Sequence, residues 1–126
     1  MTVSGRAKTS TKKRAQQRGR WAEVLARTML KLKGHKILAK NYKTKVGEID
    51  IITRKNNVIG FVEVKARRSE REAAEAISQH QKSRIERTAE HFMVHQPEHQ
   101  NCDMRFDVAL VTGPVSIHIL YDAWRP

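Results

Sequence analysis

Hydrophobic and polar residues follow one another along this chain in two rhythms. Over Ala15–Lys33 the rhythm is helical: Trp21, Val24, Leu25, Thr28 and Leu32 recur at helical spacing, and Gly34 follows as a C-terminal stop. His35–Tyr42, with Ile37 and Leu38, predicts a first strand. Val46–Arg54 and Val58–Arg67 predict two more, joined through the polar turn Lys55-Asn56-Asn57. Helical spacing returns over Arg71–His95, where Ala74, Ile77, Ile85, Thr88 and Phe92 fall near one face and Pro97 ends the run. Met104–Thr112 predicts a strand with Phe106, Val108 and Leu110 on one face. Gly113-Pro114 makes a turn, and Val115–Leu120 predicts the last strand. Trp21, Phe61 and Phe106 stand at core positions. The order α-β-β-β-α-β-β predicts an α/β domain with a mixed sheet, without internal repeat or second core.

Length and charge add a partner to this picture. A chain of 126 residues fits one domain with one real core. Its formal net charge is +12, from 25 Lys and Arg against 13 Asp and Glu. Such a balance predicts a polyanionic partner, most simply nucleic acid (DNA or RNA), with an anionic membrane surface or a large ribonucleoprotein as rivals. Seven basic residues and no acid lie in the first twenty positions, leaving +5 for residues 21–126. Residues 1–14 are therefore predicted to be a basic, disordered tail, and residues 15–126 the folded domain. Within and just beyond the tail, Lys12, Lys13, Arg14 and Arg18 are candidate phosphate contacts, equally readable as a solubilising extension.

Other classes drop out. A single cysteine, Cys102, excludes an internal disulfide framework and a CxxC zinc pattern. Apolar runs fall far short of the ~20 residues that span a bilayer, and the basic start has no secretory apolar core. A cytoplasmic setting and no membrane partner are expected.

The central hairpin carries the candidate chemistry. With Asn56-Asn57 as a two-residue turn, the register places Asp50 opposite Glu63 and Glu48 opposite Lys65. Glu48 and Asp50 then share one face of the first strand, Ile49 and Ile51 the other. Glu63 and Lys65 share a face of the second strand. Two opposed carboxylates with Cβ atoms about 5 Å apart repel one another. Solvent, a shared proton or a divalent cation would relieve them, and oxygen ligands select Mg²⁺ or Mn²⁺ over zinc. Asp50, Glu63 and the Val64 backbone carbonyl form a candidate metal set, with Lys65 beside it to position water or stabilise a phosphorane-like transition state. A solvated sheet face with a Glu48–Lys65 ion pair is the competing reading.

The run Lys40-Asn41-Tyr42-Lys43-Thr44-Lys45-Val46-Gly47-Glu48-Ile49-Asp50-Ile51-Ile52, followed by Phe61-Val62-Glu63-Val64-Lys65-Ala66-Arg67, resembles the YraN-like family of uncharacterised bacterial proteins. Arg105-Phe106-Asp107-Val108 fits that family's late strand motif, and Gly19-x-x-x-Glu23-x-x-Ala26 its first-helix motif. The resemblance spans roughly residues 18–124. It implies a small restriction-endonuclease-like, or PD-(D/E)XK, fold related to Holliday-junction resolvases, with Asp50, Glu63 and Lys65 as its D…E-x-K signature. It also implies Glu23 as a helix carboxylate at the site, and Gln81 or Lys82 at a second-helix position often held by lysine. Resolvase-type cleavage would further imply a homodimer. Glu23 lies about 170° from the Trp21–Leu32 stripe, so it reaches the site only if the helix also buries its Ala26–Leu30 side.

The remaining candidates are weaker. Lys45, Arg67, Lys82 and Arg84 are basic residues placed to meet nucleic acid, or ordinary solvated positions. His91, His95 and His99 are four apart, but Pro97 interrupts the helix and no Glu completes an HExxH zinc site. Cys102 has no activating neighbour. Arg105 and Asp107, two apart on one strand face, read first as a structural ion pair. The expected function is a Mg²⁺-dependent DNA endonuclease acting on branched or repair-associated DNA. The alternatives are a non-catalytic nucleic-acid-binding protein of the same fold and an RNA- or ribonucleoprotein-docking protein.

Overall fold

A computed structural model of the chain describes residues 19–69, 71–72 and 76–126. Lys12, Lys13, Arg14 and Arg18, and with them the tail prediction, lie outside the described residues, as does Ala74. The described elements are a helix α1 over residues 19–32, strands β1 (Lys36–Thr44), β2 (Gly47–Lys55) and β3 (Val58–Ala66), helix α2 (Gln79–His95), a 3₁₀ turn at Pro97–His99, and strands β4 (Asp103–Val111) and β5 (Ile117–Trp124). The fold is α/β with the order α-β-β-β-α-β-β. Its single sheet has the order β1-β2-β3-β4-β5, with β3 and β4 parallel and the other neighbours antiparallel.

The sheet is mixed because α2 separates β3 from β4. Short turns can join antiparallel strands only, whereas a helical crossover returns the chain parallel. β4 sits between β3 and β5, and Phe106 through Val111 are buried without a break. The expected one-sided Phe106–Val108–Leu110 strand is thus covered on both faces, as suits a strand with a parallel neighbour. Even Asp107 is fully buried. Arg105 Nε and Nη2 donate to its carboxylate at 2.8 and 3.2 Å, and the Asp122 N–H donates at 2.9 Å. The expected Arg105–Asp107 ion pair is present, and it holds β5 at the point where Asp122 takes φ +54°.

Two apolar clusters mark the two faces. Ile85, Ala89 and Phe92 of α2 pack with Ile49, Ile52, Ile59, Phe61 and Phe106. Ala26 and Leu30 of α1 pack with Ile51, Val62 and Ala109. Cross-strand pairs Ile52–Phe61 and Ile51–Val62 lie on opposite faces, so the helices cover opposite sides of the sheet.

Several boundaries differ from expectation. In α1 the buried face is Ala22, Ala26 and Leu30, while Trp21, Val24, Thr28 and Leu32 are exposed. Small side chains let the helix lie close to the sheet, and Trp21 moves to the rim, where its Nε1–H donates to the Pro114 carbonyl at 2.6 Å. The second helix is not continuous from Arg71: α2 starts after Ser78, whose side chain accepts from the Gln81 N–H while the Gln81 side chain accepts from the Ser78 N–H. This capping box satisfies two donors that a helix start leaves open. β1 runs on to Thr44. β5 begins two residues late and continues past Leu120 to Trp124, through the bend at Asp122.

Candidate active site

The β2–β3 register is the predicted one, from Lys55–Val58 to Ile51–Val62, with Asn56 taking φ +56° in the turn. Beyond Ile51–Val62 the strands part. Glu48 pairs with Lys43 of β1 and Lys65 with Leu110 of β4, so the expected facing of Glu48 and Lys65 does not arise. Instead Lys65 Nζ lies 3.7 Å from Glu63 Oε1, the two side chains sharing a strand face as their spacing predicted.

Ile49 and Ile51 do not share a face, contrary to strict alternation: Ile49 packs with α2 and Ile51 with α1. The break falls at Asp50. Between the pairs Lys40–Ile51 and Tyr42–Ile49, Asn41 stands opposite Asp50 with φ +50°. Irregular strand positions of this kind re-aim a side chain. The Asp50 carboxylate turns into the parting of the strands, where Oδ2 accepts the Val64 N–H at 2.8 Å. An extended residue presents its N–H and C=O on the same strand edge. The Val64 carbonyl therefore also faces that opening.

Asp50 and Glu63 meet there, and Glu63 is only 15% exposed at its side chain. Burial, then the Asp50 charge and a hydrogen bond to it, push Glu63 up to about 8 against the opposing pull of Lys65. The Asp50–Glu63 pair therefore holds a proton to higher pH than an isolated carboxyl does. Glu23 of α1 feels part of this group: burial and the charges of Asp50 and Glu48 raise its pKa, with Arg27 opposing. The buried Ala26–Leu30 side of α1 meets the condition the sequence set for Glu23. Gln81 is tied into the α2 cap.

Lys82 Nζ lies 5.8 Å from the centre of the Trp124 ring. Arg84 Nε donates to the Val46 carbonyl at 3.2 Å. Arg67 is exposed at the end of β3, and Lys45 in the β1–β2 turn. Among His91, His95 and His99, the first two stack at 4.1 Å. His99 is buried, with Arg54 Nη1 at 2.8 Å from its Nδ1.

Among the described residues, no group of three or more His, Cys, Asp or Glu is arranged to hold a metal ion. The oxygen set at the parting is two carboxylates and a backbone carbonyl. That set fits a hard cation such as Mg²⁺, which keeps several waters and takes one or two protein carboxylates. A buried carboxyl that retains its proton beside another carboxylate is also what a cation would discharge.

One residue of this region escaped the sequence reading. Gly47, at the start of β2, lies under α2: a Cβ there would meet Thr88 Oγ1 at 2.8 Å and the Arg84 carbonyl at 3.3 Å. Its signal was present in the Gly47-Glu48-Ile49-Asp50 run, but without a partner surface to explain it.

Residues 22–111 match the model of the uncharacterised protein family UPF0102. The chain belongs to family UPF0102. This is the YraN family its motifs resemble, and the matched span runs from the buried face of α1 to the end of β4, enclosing Glu23, Asp50, Glu63 and Lys65. A UPF0102 protein of Parvibaculum lavamentivorans is 43% identical over 105 residues, covering 83% of this chain and 79% of the relative. One from Paramagnetospirillum magneticum is 42% identical over 115 residues, covering 88% and 89%. One from Rhizobium johnstonii is 39% identical over 113 residues, covering 89% and 93%. These UPF0102 relatives are bacterial. Among the described residues of this UPF0102 protein, no helix is long and apolar enough to cross a membrane.

Proposed function

We propose that this UPF0102 protein is a metal-dependent endonuclease of the restriction-endonuclease-like superfamily, acting on DNA, with branched or repair-associated DNA as the substrate class. One observation carries the reading: the carboxylates of Asp50 and Glu63 meet where β2 and β3 part, with the Lys65 ammonium 3.7 Å from Glu63. A chain of net charge +12 that only held DNA would gain nothing from acids turned toward phosphates.

In this reading Asp50, Glu63 and the Val64 carbonyl hold Mg²⁺ or Mn²⁺. The bound ion would neutralise the phosphodiester and acidify a water. Asp50 is fixed by the Val64 N–H and so presents its other oxygen to the opening. Lys65 orients the attacking water or stabilises charge developing on the phosphate. Glu23 supplies an acceptor from α1 for water at the site.

A second reading, a nucleic-acid binder without turnover, is favoured by the engagement of Gln81 in the helix cap and by the absence, among the described residues, of a third side-chain ligand. Incubating the protein with linear, nicked and four-way DNA in Mg²⁺ or Mn²⁺ separates the two. Cleavage by the wild type that Asp50→Asn and Lys65→Ala abolish supports the nuclease. Binding without cleavage on every substrate supports the second reading, and tight binding confined to RNA would overturn the DNA nuclease.

A further inference from the structure

Outside the acidic site, the largest organised charge lies on α2. His80, Arg84, Arg87, His91 and His95 are all exposed. At 100° per residue they fall within a sector of roughly 80°. The fifteen steps from His80 to His95, at ~1.5 Å each, make this stripe about 22 Å long. Glu86 and Glu90 fall on a neighbouring face. The stripe is turned toward β1: Arg84 Nε reaches the Val46 carbonyl at 3.2 Å, and the Tyr42 hydroxyl lies 2.7 Å from His91 Nδ1. His95 Nδ1 donates to the His91 carbonyl at 2.8 Å, so in both rings Nε2 is left for a ligand. Exposed Lys45 adds a positive group in the β1–β2 turn, beside Val46.

We propose that the α2 stripe, with Lys45 beside it, forms the docking flank for the sugar–phosphate backbone of duplex DNA. This deepens the nuclease reading by placing the duplex relative to the acidic site. Three features argue for that occupant. The first is charge: the stripe offers only cationic or hydrogen-bonding groups, and each strand of a duplex offers one phosphate per ~3.4 Å of axis, so a 22 Å stripe runs past about six. The second is continuity with the site. Arg84 lies over Gly47, three residues along β2 from Asp50, or about 10 Å, so a backbone laid on the stripe passes the carboxylates. The third is the use of the apolar face of α2. Ile85, Ala89 and Phe92 are committed to the sheet, whereas a helix lying on a membrane must insert its apolar face into lipid.

The test is fluorescence anisotropy of a labelled 20-base-pair duplex in EDTA, where no cleavage can occur and binding is read apart from catalysis. Each lost phosphate contact lowers the slope of log K against log salt by about 0.9, worth roughly 8-fold at 0.1 M salt. Arg84→Gln with Arg87→Gln is expected to weaken binding roughly 60-fold and flatten the slope by about 1.8. Lys31→Gln with Arg125→Gln removes the same charge from other exposed positions and is expected to change affinity less than about 2-fold. If the first variant does not fold, as judged by circular dichroism, Arg87→Gln alone carries the test at about half the slope change. Equal losses in both pairs, an unchanged slope for the stripe variant, or a stripe-dependent binding to phosphatidylglycerol vesicles in place of DNA would overturn the proposal. Absence of cleavage in the separate Mg²⁺ assay would overturn the nuclease reading and leave this result standing.

Discussion

Gly47→Ala should destabilise the protein through a single contact whose partner is known. The new methyl would sit 2.8 Å from Thr88 Oγ1 and 3.3 Å from the Arg84 carbonyl. Thr88 is fully buried, and its hydroxyl already donates to that same carbonyl at 2.8 Å. Neither group yields without moving α2 or the start of β2. Overpacking of this kind costs about 2 kcal/mol. Thr88→Ala alone should cost about 1 kcal/mol, mostly for the lost hydrogen bond. In the Thr88→Ala background the closest obstacle is gone and only the 3.3 Å approach remains, so Gly47→Ala should then cost well under 1 kcal/mol. The double-mutant cycle is therefore expected to show a coupling of about 1–2 kcal/mol in the direction of rescue. Urea denaturation of the four proteins, followed by circular dichroism, measures it. Costs that add to within about 0.3 kcal/mol would show that Gly47 is required for some reason other than the approach of α2.

Asp107→Ala removes a fully buried carboxylate and leaves Arg105 and the Asp122 N–H without it, at a cost of about 3 kcal/mol; a melting temperature unchanged from wild type would refute the clamp. Gly60→Ala places a methyl 2.6 Å from Thr53 Oγ1 and 2.8 Å from Asp107 Oδ2. It should cost at least as much as Gly47→Ala, a ranking that urea midpoints check. Glu63 holds its proton to about 8 in the folded protein against an ordinary 4.5. Between those values the folded state therefore binds more protons than the unfolded one. Stability of the metal-free protein from this group is complete below pH 4.5 and falls as pH rises to 8, by at most about 1.4 kcal/mol per unit. His35 works in the opposite direction, its pKa lowered by burial and by the Lys55 and Arg105 charges, so the comparison that isolates Glu63 is with Glu63→Gln. That variant should lose the fall, and parallel pH profiles for the two proteins in EDTA would refute it.

Element order, the central register and the pairing of Arg105 with Asp107 were legible in the sequence because each rests on local signals. Alternation and a two-residue Asn turn fix the β2–β3 register, since a slip by one would set carboxylates against valines. What failed were inferences about which face meets what. Trp21 is the largest apolar residue of α1, yet Ala22, Ala26 and Leu30 face the sheet, because alanines at two of the three contact positions let the helix lie close. The start of α2 was hidden although Ser78-x-x-Gln81 spells a capping box. A helical apolar period on both sides of Ser78 masked the cap.

The candidate site was legible in its residues but not in its cause. Continuing a regular ladder sets Asp50 against Glu63, and regular pairing is what stops there. Between the Ile51–Val62 pair and the splayed ends, β2 changes the face it shows, Asn41 takes a left-handed conformation opposite Asp50, and the Asp50 carboxylate replaces a backbone acceptor for Val64. A flat, continuous hairpin would hold the two acids side by side at the surface, where water relieves their repulsion. The parting of the strands instead leaves Glu63 largely buried against Asp50, so that burial, more than proximity, raises it. Straightening β2 should therefore lower the Glu63 pKa even with every acidic residue kept. Asn41→Val, which disfavours the left-handed backbone at that position, is the substitution that would do it.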